Sequence, residues 1–201
     1  MFNDPSSPQY LSPEAIDQLP LAVFTGEIVE IKSPRAAREA VQELSRESIL
    51  GFDTETRPNF APPSAGRHKT ALLQLASGNK SFLFRLTYCG FPDDLADLLG
   101  NPRVLKVGAA IKEDIRGLQV HHTFSPSGFV DLQTLAESLG ITVKSLKKMA
   151  AIVLGLRLSK GQQLSNWENR ELSPSQRQYA ALDAWICREI YLKLRNSFWR
   201  K

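Results

Sequence analysis

The segment ILGFDTET, residues 49 to 56, ends an apolar run with two carboxylates placed one residue apart. Successive side chains of a β-strand point to opposite faces, so Asp53 and Glu55 share one face while Phe52 takes the other. Two anions at the end of a buried strand resist desolvation, and they repel each other by about 4 kcal/mol at a separation of ~4 Å. The segment therefore predicts a core strand whose end requires a positive charge beside it.

Hydrophobic periodicity predicts that strands and helices alternate along most of the chain. Strands are predicted at 26–33, 49–54, 70–77, 81–86 and 103–108. Helices are predicted at 34–46, 93–99, 112–118, 132–139, 143–154 and 174–196. The third and fourth strands are close enough in sequence to form a hairpin. An early hairpin followed by alternating strands and helices is typical of the α/β class, with a mixed sheet and helices on its faces.

The length of 201 residues suits one domain with a full hydrophobic core. Residues 1–20 are acidic and rich in Pro and Ser, and we expect them to be a lead-in segment to a domain at 21–201. They lack the basic and then apolar order of a signal peptide, and no apolar run approaches the ~20 residues of a membrane span. We therefore expect a cytoplasmic protein without membrane contact, in which Cys89 and Cys187 are reduced structural thiols.

Basic residues occur in two tracts that contain no acid. Lys and Arg number 25 against 21 Asp and Glu, a net charge of +4, and no acid occurs at 56–92 or at 138–167. Such tracts suit a polyanionic partner, which makes nucleic acid one interpretation. Solvated loops and helix faces of a slightly basic protein are the alternative.

The predicted last helix carries an acid on its apolar face. Ser173 and Gln176 fit a capping box, with a proline at the first helical position. The apolar stripe of this helix comprises Tyr179, Leu182, Ile186, Ile190 and Leu194. Asp183 lies within that stripe, four residues after Tyr179, so the two side chains share a face. A carboxylate on a core-facing stripe is an informative exception to ordinary burial.

Two further acids follow predicted strands. In the helix after the strand at 103–108, Asp114 lies beside the buried stripe whereas Glu113 points nearer to solvent, which favours Asp114 as a third inward acid. An exposed acid in a salt bridge is the alternative for Asp114. Asp131 lies at a strand end before a helix, where a helix N-cap is the simpler interpretation than a metal ligand.

Several of these motifs, in this order, resemble the DEDD superfamily of 3′-to-5′ exonucleases in its tyrosine-bearing branch, DEDDy. The similarity is closest to RNase D and to the exonuclease domain of the Werner syndrome helicase. It rests on FDTETRPNF with its acid pair, on KVGAAIKEDIRGL with Asp114, and on YAALDA with Tyr179 and Asp183. It covers roughly residues 27 to 195. The resemblance implies a ribonuclease H-like (DnaQ-like exonuclease) mixed sheet of five to six strands flanked by helices.

The same resemblance implies two divalent metal ions, Mg²⁺ or Mn²⁺, in a carboxylate cage. Asp53 would bridge the two ions, and Asp114 would support the second. Glu55 and Asp183 would hold the ion that activates a water molecule, and Tyr179 would orient that water. Such ions would remove the repulsion within the acid pair and clamp both oxygens of the phosphoryl displacement. Zinc is disfavoured because the sequence offers no His and Cys ligand set.

The implied activity is hydrolysis of DNA or RNA from a single-stranded, recessed or frayed 3′ end, with release of nucleoside 5′-monophosphates. Arg57, Lys160 and Arg170 are the expected substrate contacts, whereas Trp167 is expected to be a packing residue. The chain ends at Lys201, which leaves no room for the additional domains of the relatives, so the nuclease is expected to grip substrate by itself or through a partner. A catalytically silent nucleic-acid-binding module is the main alternative, and an endonuclease or integrase with the same type of fold is a third.

Overall fold

The computed structural model describes residues 11–59, 68–159 and 161–198. The strands are β1 Glu27–Ile31, β2 Ile49–Thr56, β3 Thr70–Ala76, β4 Lys80–Arg85, β5 Leu105–Gly108 and β6 Phe129–Asp131. The helices are α1 Pro13–Asp17, α2 Pro34–Leu44, α3 Leu86–Cys89, α4 Asp93–Gly100, α5 Lys112–Gln119, α6 Leu132–Ser138, α7 Leu146–Leu154 and α8 Pro174–Phe198. Within the described ranges, no helix is both long and apolar enough to cross a bilayer.

The strands form one mixed sheet in the order β1-β4-β3-β2-β5-β6. Strand β3 is antiparallel to both β2 and β4, and Asp53 of β2 pairs with Gln74 of β3. The remaining pairs, β1 with β4, β2 with β5, and β5 with β6, are parallel. The predicted hairpin and mixed sheet are therefore confirmed, although β5 and α7 begin two to three residues later than the sequence pattern predicts.

Side-chain caps account for where two long helices begin. Ser33 accepts a hydrogen bond from the Ala36 amide at 3.2 Å, with a proline at the first turn of α2. At α8 the Gln176 amide donates to the Ser173 hydroxyl at 3.1 Å, and the Gln176 side chain accepts from the Ser173 amide at 3.0 Å. This reciprocal pair is the predicted capping box, and it fixes the start of the helix that carries Tyr179 and Asp183.

The sheet separates two apolar layers. Leu50 and Phe52 of β2 pack into the layer that includes α2 and α4, whereas Ile49 lies in the layer formed with α6, α7 and α8. The α8 face of β2 thus contains the odd-numbered residues, including Gly51, Asp53 and Glu55. Helix α8 lies against this face so closely that a Cβ atom on Gly51 would be 1.9 Å from the Ala184 carbonyl oxygen. This contact brings the acidic end of β2 to the middle of α8.

Candidate active site

Three carboxylates from β2 and α8 meet at the end of the strand. Asp53, Glu55 and Asp183 each offer an oxygen atom, and these atoms all lie within 4.8 Å of one another. Asp183 is 9% exposed, and the other two side chains are partly buried. The alternation of β2 and the position of Asp183 one residue before Ala184 explain the arrangement, since the Gly51–Ala184 contact aligns the two elements.

The three acids have raised pKa values because they are buried together. Burial raises the pKa of Asp53 well above its ordinary value, and the charges of Asp183 and Asp114 raise it further. Burial and the charge of Asp53 raise the pKa of Glu55 to about 10. Burial raises the pKa of Asp183 to about 6, although the Tyr179 hydroxyl and the Lys147 ammonium offset part of this effect. The cluster therefore has a strong demand for positive charge.

The donor set of this cluster fits a divalent metal ion. Its ligand atoms are carboxylate oxygens, which Mg²⁺ and Mn²⁺ prefer, and no His or Cys belongs to the group of three. A bound cation would also reverse the repulsion that raises the pKa values of Asp53 and Glu55. On this physical argument, Asp53, Glu55 and Asp183 are the residues that would hold an ion.

Asp114 lies beside this group without being part of it. The Thr54 hydroxyl donates a hydrogen bond of 2.6 Å to the Asp114 carboxylate. Thr54 belongs to the opposite face of β2 from Asp53 and Glu55, so Asp114 approaches the strand end from the α5 side. Its charge nevertheless raises the pKa values of both Asp53 and Glu55, which places it within electrostatic range of the cluster.

Asp131 fixes the backbone that leads into α5. Its carboxylate accepts hydrogen bonds from the amides of Ala110 and Ile111, each at 3.2 Å, and from the Gln133 amide at 2.8 Å. The bond from Gln133 is the predicted N-cap of α6. The other two hold the turn before Asp114, where Ala110 has a left-handed φ of 59°. Asp131 thus positions the helix that carries Asp114.

Tyr179 lies one helical turn before Asp183 and lines the same cavity as the three acids. Burial raises the pKa of its phenol, and the neighbouring Asp183 carboxylate raises it further. The ring centroid of Tyr179 is 6.1 Å from that of Trp167, which is fully buried. Trp167 is therefore a packing residue, as predicted, and its ring packs next to the ring of Tyr179.

The cavity in front of the acids has a volume of about 470 Å³, and sequence reasoning did not identify its opposite wall. That wall includes Lys144 from the segment before α7, Lys147 from the first turn of α7, and Gln163 from the segment before α8. The Nζ atom of Lys147 is shielded from solvent, and its charge lowers the pKa of Asp183. The acid-free tract at 138–167 was the available signal, but it could not distinguish Lys147 from its exposed neighbours.

The three predicted substrate contacts have different surroundings. The guanidinium of Arg57 lies 3.2 Å from a carboxylate oxygen of Glu168. Arg170 is exposed, beyond the buried Trp167. Lys160 lies outside the described residues.

Comparison with known proteins identifies the family. A family sequence model described as 3′-5′ exonuclease matches residues 28–199. The chain belongs to this 3′-5′ exonuclease family. It is 34% identical over 190 residues to the bifunctional 3′-5′ exonuclease/ATP-dependent helicase WRN of Mus musculus, covering 90% of the chain. It is 33% identical over 158 residues to ribonuclease D of Haemophilus influenzae, covering 78% of the chain.

The chain spans 13% of the WRN sequence and 38% of the ribonuclease D sequence. Its fold is similar to the crystal structure of the Nibbler EXO domain from Aedes aegypti, with a TM-score of 0.80 and 24% identity. That similarity covers 89% of this chain and 93% of the Nibbler chain. The predicted resemblance and the predicted ribonuclease H-like α/β fold are both confirmed.

The position of Lys147 beside Asp183 predicts an effect on metal affinity. Replacing Lys147 with Met removes a charge of the same sign as the ion, so Mn²⁺ should bind roughly tenfold more tightly, the equivalent of about 1.4 kcal/mol. Isothermal titration of the metal-free protein with Mn²⁺ measures the change. Lys144→Met, which removes an exposed lysine from the same wall, should change the affinity far less. Unchanged or weaker binding in Lys147→Met would show that this ammonium does not compensate the acids.

Proposed function

We propose that the chain is a metal-dependent exonuclease that hydrolyses the terminal phosphodiester bond at the 3′ end of DNA or RNA and releases nucleoside 5′-monophosphates. The observation that carries this proposal is the meeting of Asp53, Glu55 and Asp183 beside Tyr179 in one cavity of an exonuclease-family domain. The family acts on nucleic acid, and single-stranded or frayed 3′ ends are the substrates that we propose.

Two divalent ions, Mg²⁺ or Mn²⁺, are the proposed cofactors. Asp53, Glu55 and Asp183 would hold one ion through the oxygen atoms that lie within 4.8 Å of one another. Asp53 and Asp114 are the proposed ligands of the second, because Asp114 reaches the same strand end from α5. Bound ions of this kind supply an acidified water and stabilise the charge that develops on the phosphate.

Tyr179 is proposed to orient the water rather than to deprotonate it. Because burial and Asp183 raise the pKa of its phenol, the hydroxyl remains protonated at neutral pH and is a hydrogen-bond donor. A donor on the wall of the cavity can position a water or a phosphate oxygen next to the acids. Trp167 limits the movement of the ring, so the hydroxyl is held in place before substrate arrives.

The proposal is tested with matched 5′-labelled DNA and RNA strands, incubated with Mg²⁺, Mn²⁺ or EDTA. We expect a ladder that shortens from the 3′ end only when a metal is present. Asp183→Asn should slow it by roughly 10³-fold, the equivalent of about 4 kcal/mol. Asp97→Asn is the matched control, because Asp97 is an exposed acid on α4 and its substitution should leave the rate unchanged.

An intact substrate under every metal, with nucleic-acid binding retained, would overturn the proposed hydrolysis and favour a silent binding module. Cleavage products that are internal to the strand would instead indicate an endonuclease. The relative rates on the DNA and RNA strands report which sugar the domain prefers, a choice that depends on contacts to the 2′-hydroxyl.

A further inference from the structure

A second cavity lies on the other side of β2, beside the acid cavity. Its volume is about 750 Å³, and both cavities include Thr54 in their walls. The cavity therefore continues from the acid site towards the α5 side of the strand. Its ionisable lining residues are Arg57, His68, Lys69, Glu113, Asp114 and Arg116, of which Arg116 pairs with Glu113.

The Glu168 carboxylate contacts two basic residues of this lining, Arg57 and His68. One of its carboxylate oxygens lies 3.2 Å from Nη1 of Arg57, and the other lies 3.5 Å from Nδ1 of His68. The Glu168 backbone is anchored because its amide donates to the side-chain oxygen of Asn166 at 3.1 Å and because the preceding Trp167 is fully buried. The backbone that carries this carboxylate is thus anchored next to Arg57 and His68.

The ion pair between Arg57 and Glu168 is weak enough to be exchanged. The Arg57 side chain is 46% exposed and that of Glu168 is 33% exposed, and ion pairs in such solvent-exposed positions contribute little to stability. A phosphate diester competes well for a guanidinium because it offers two oxygens to the planar fork. Lys69 is exposed on the same lining and adds positive charge that a phosphate would also meet.

We propose that this cavity binds the phosphates of the strand just upstream of the 3′-terminal nucleotide, and that Glu168 is a resident counter-ion which substrate displaces from Arg57. The inference rests on the proposed function, since it assumes that a nucleic-acid strand lies across the end of β2. In this role Glu168 holds the Arg57 guanidinium in place when no substrate is bound, and it lowers the affinity for the strand because it competes with the phosphate.

The alternative is a structural role, in which Glu168 only ties the end of β2 to the segment before α8. The two roles predict opposite effects on binding. Removing a structural tie would weaken the binding of a strand, whereas removing a competing anion strengthens it. A neutral, isosteric substitution, Glu168→Gln, therefore separates them.

The test measures binding of labelled single-stranded octanucleotides by fluorescence anisotropy in Mg²⁺, using Asp53→Asn protein so that no cleavage interferes. We expect Glu168→Gln to tighten binding by roughly three- to tenfold and Arg57→Gln to weaken it by a similar factor. In the Arg57→Gln background, Glu168→Gln should have little further effect, because the two changes act on one contact. A dinucleotide, which is too short to reach the cavity, should bind equally to all variants.

Glu171→Gln is the matched control, because it removes the same charge only three residues after Glu168. Glu171 pairs with Lys32 at 2.8 Å instead of with Arg57. An equal gain of affinity in Glu171→Gln would show that the gain comes only from the change in net charge, and it would overturn the proposal. Unchanged or weaker octanucleotide binding in Glu168→Gln would overturn it as well. Because binding is measured in a background that does not cleave, these outcomes are independent of whether the ladder assay detects hydrolysis.

Discussion

Replacing Asp53 with Asn is expected to abolish hydrolysis and, at the same time, to raise the melting temperature of the metal-free protein. The carboxylate lies among Glu55 and Asp183, and burial raises its pKa well above the ordinary value. Whether it stays ionised or takes up a proton, this environment destabilises the folded state. A neutral amide at this position should raise the free energy of unfolding by about 1 to 2 kcal/mol. For a chain of this length, that corresponds to a rise in melting temperature of roughly 2–8 °C.

The loss of activity should reach roughly 10³-fold or more, about 4 kcal/mol, because the proposed bridging ligand of both ions is removed. Thermal unfolding with EDTA and with Mg²⁺ measures the stability, and the labelled-strand assay measures the rate. The stabilisation by Mg²⁺ that we expect for the wild type should be lost in the variant. Asp97→Asn should leave both quantities unchanged. A wild-type response to Mg²⁺ in Asp53→Asn would show that Asp53 is not a ligand.

The pH dependence of the metal-free protein provides a check on the same argument. The pKa of Asp183 is raised to about 6 and that of Glu55 to about 10, so the folded state binds more protons than the unfolded chain across this range. Their contribution to stability is therefore lost as pH rises from about 4 towards 10. In Asp53→Asn the slope should be shallower, because one of the charges that raises the pKa of Glu55 is absent.

Helices and strands were predictable from sequence where they are long enough to show a hydrophobic period or a capping motif. The hairpin of β3 and β4 and the capping box of α8 both rest on local patterns, and both are confirmed. Helix α3, a single turn at Leu86–Cys89, was not predicted because four residues are too few to show a helical period. The pairing order of the strands depends on long-range contacts that local patterns do not contain.

The sequence predicted the members of the acid site in local pairs, Asp53 with Glu55 and Tyr179 with Asp183. That the two pairs meet depends on the contact of β2 with α8, and only the family resemblance indicated it. The hydrogen bond of Thr54 to Asp114 was not predicted either, since it joins residues 60 positions apart. Periodicity assigns a side chain to a face, but it does not say what covers that face.

Charge patterning was a weaker guide, because it does not show which basic residues are buried or paired. Arg85 belongs to the acid-free tract at 56–92, yet it is 1% exposed and forms an ion pair with Glu30 at 2.6 Å. Lys80 of the same tract pairs with Glu27 and Glu43. Neither residue lines the two cavities beside β2. The basic residues of that tract that line the cavity proposed to bind the strand are Arg57, His68 and Lys69, and Arg67 lies outside the described residues.

Replacing Gly51 with Ala is expected to destabilise the fold and to inactivate the site together. A Cβ atom at this position would lie 1.9 Å from the carbonyl oxygen of Ala184 and 2.6 Å from its carbonyl carbon. Backbone atoms cannot rotate away, so α8 must move from β2. Overpacking of this kind costs about 1 to 3 kcal/mol or more. A shift of ~1 Å at a catalytic group can reduce the rate by roughly 10²-fold.

Denaturant unfolding, Mn²⁺ titration and the labelled-strand assay should all report this one displacement. Gly51 lies two residues before Asp53, and Ala184 directly follows Asp183, so the substitution separates the acids of β2 from the acid of α8. Metal affinity should fall even at temperatures where the protein remains folded.

Gly78→Ala is the matched control, because its nearest neighbour would be the Arg188 guanidinium at 3.6 Å, an ordinary contact. Ala184→Gly should not rescue Gly51→Ala, since the clash involves the main chain of residue 184. Rescue by that change, or a fully stable Gly51→Ala protein with normal metal affinity, would show that the contact does not set the distance between the acids.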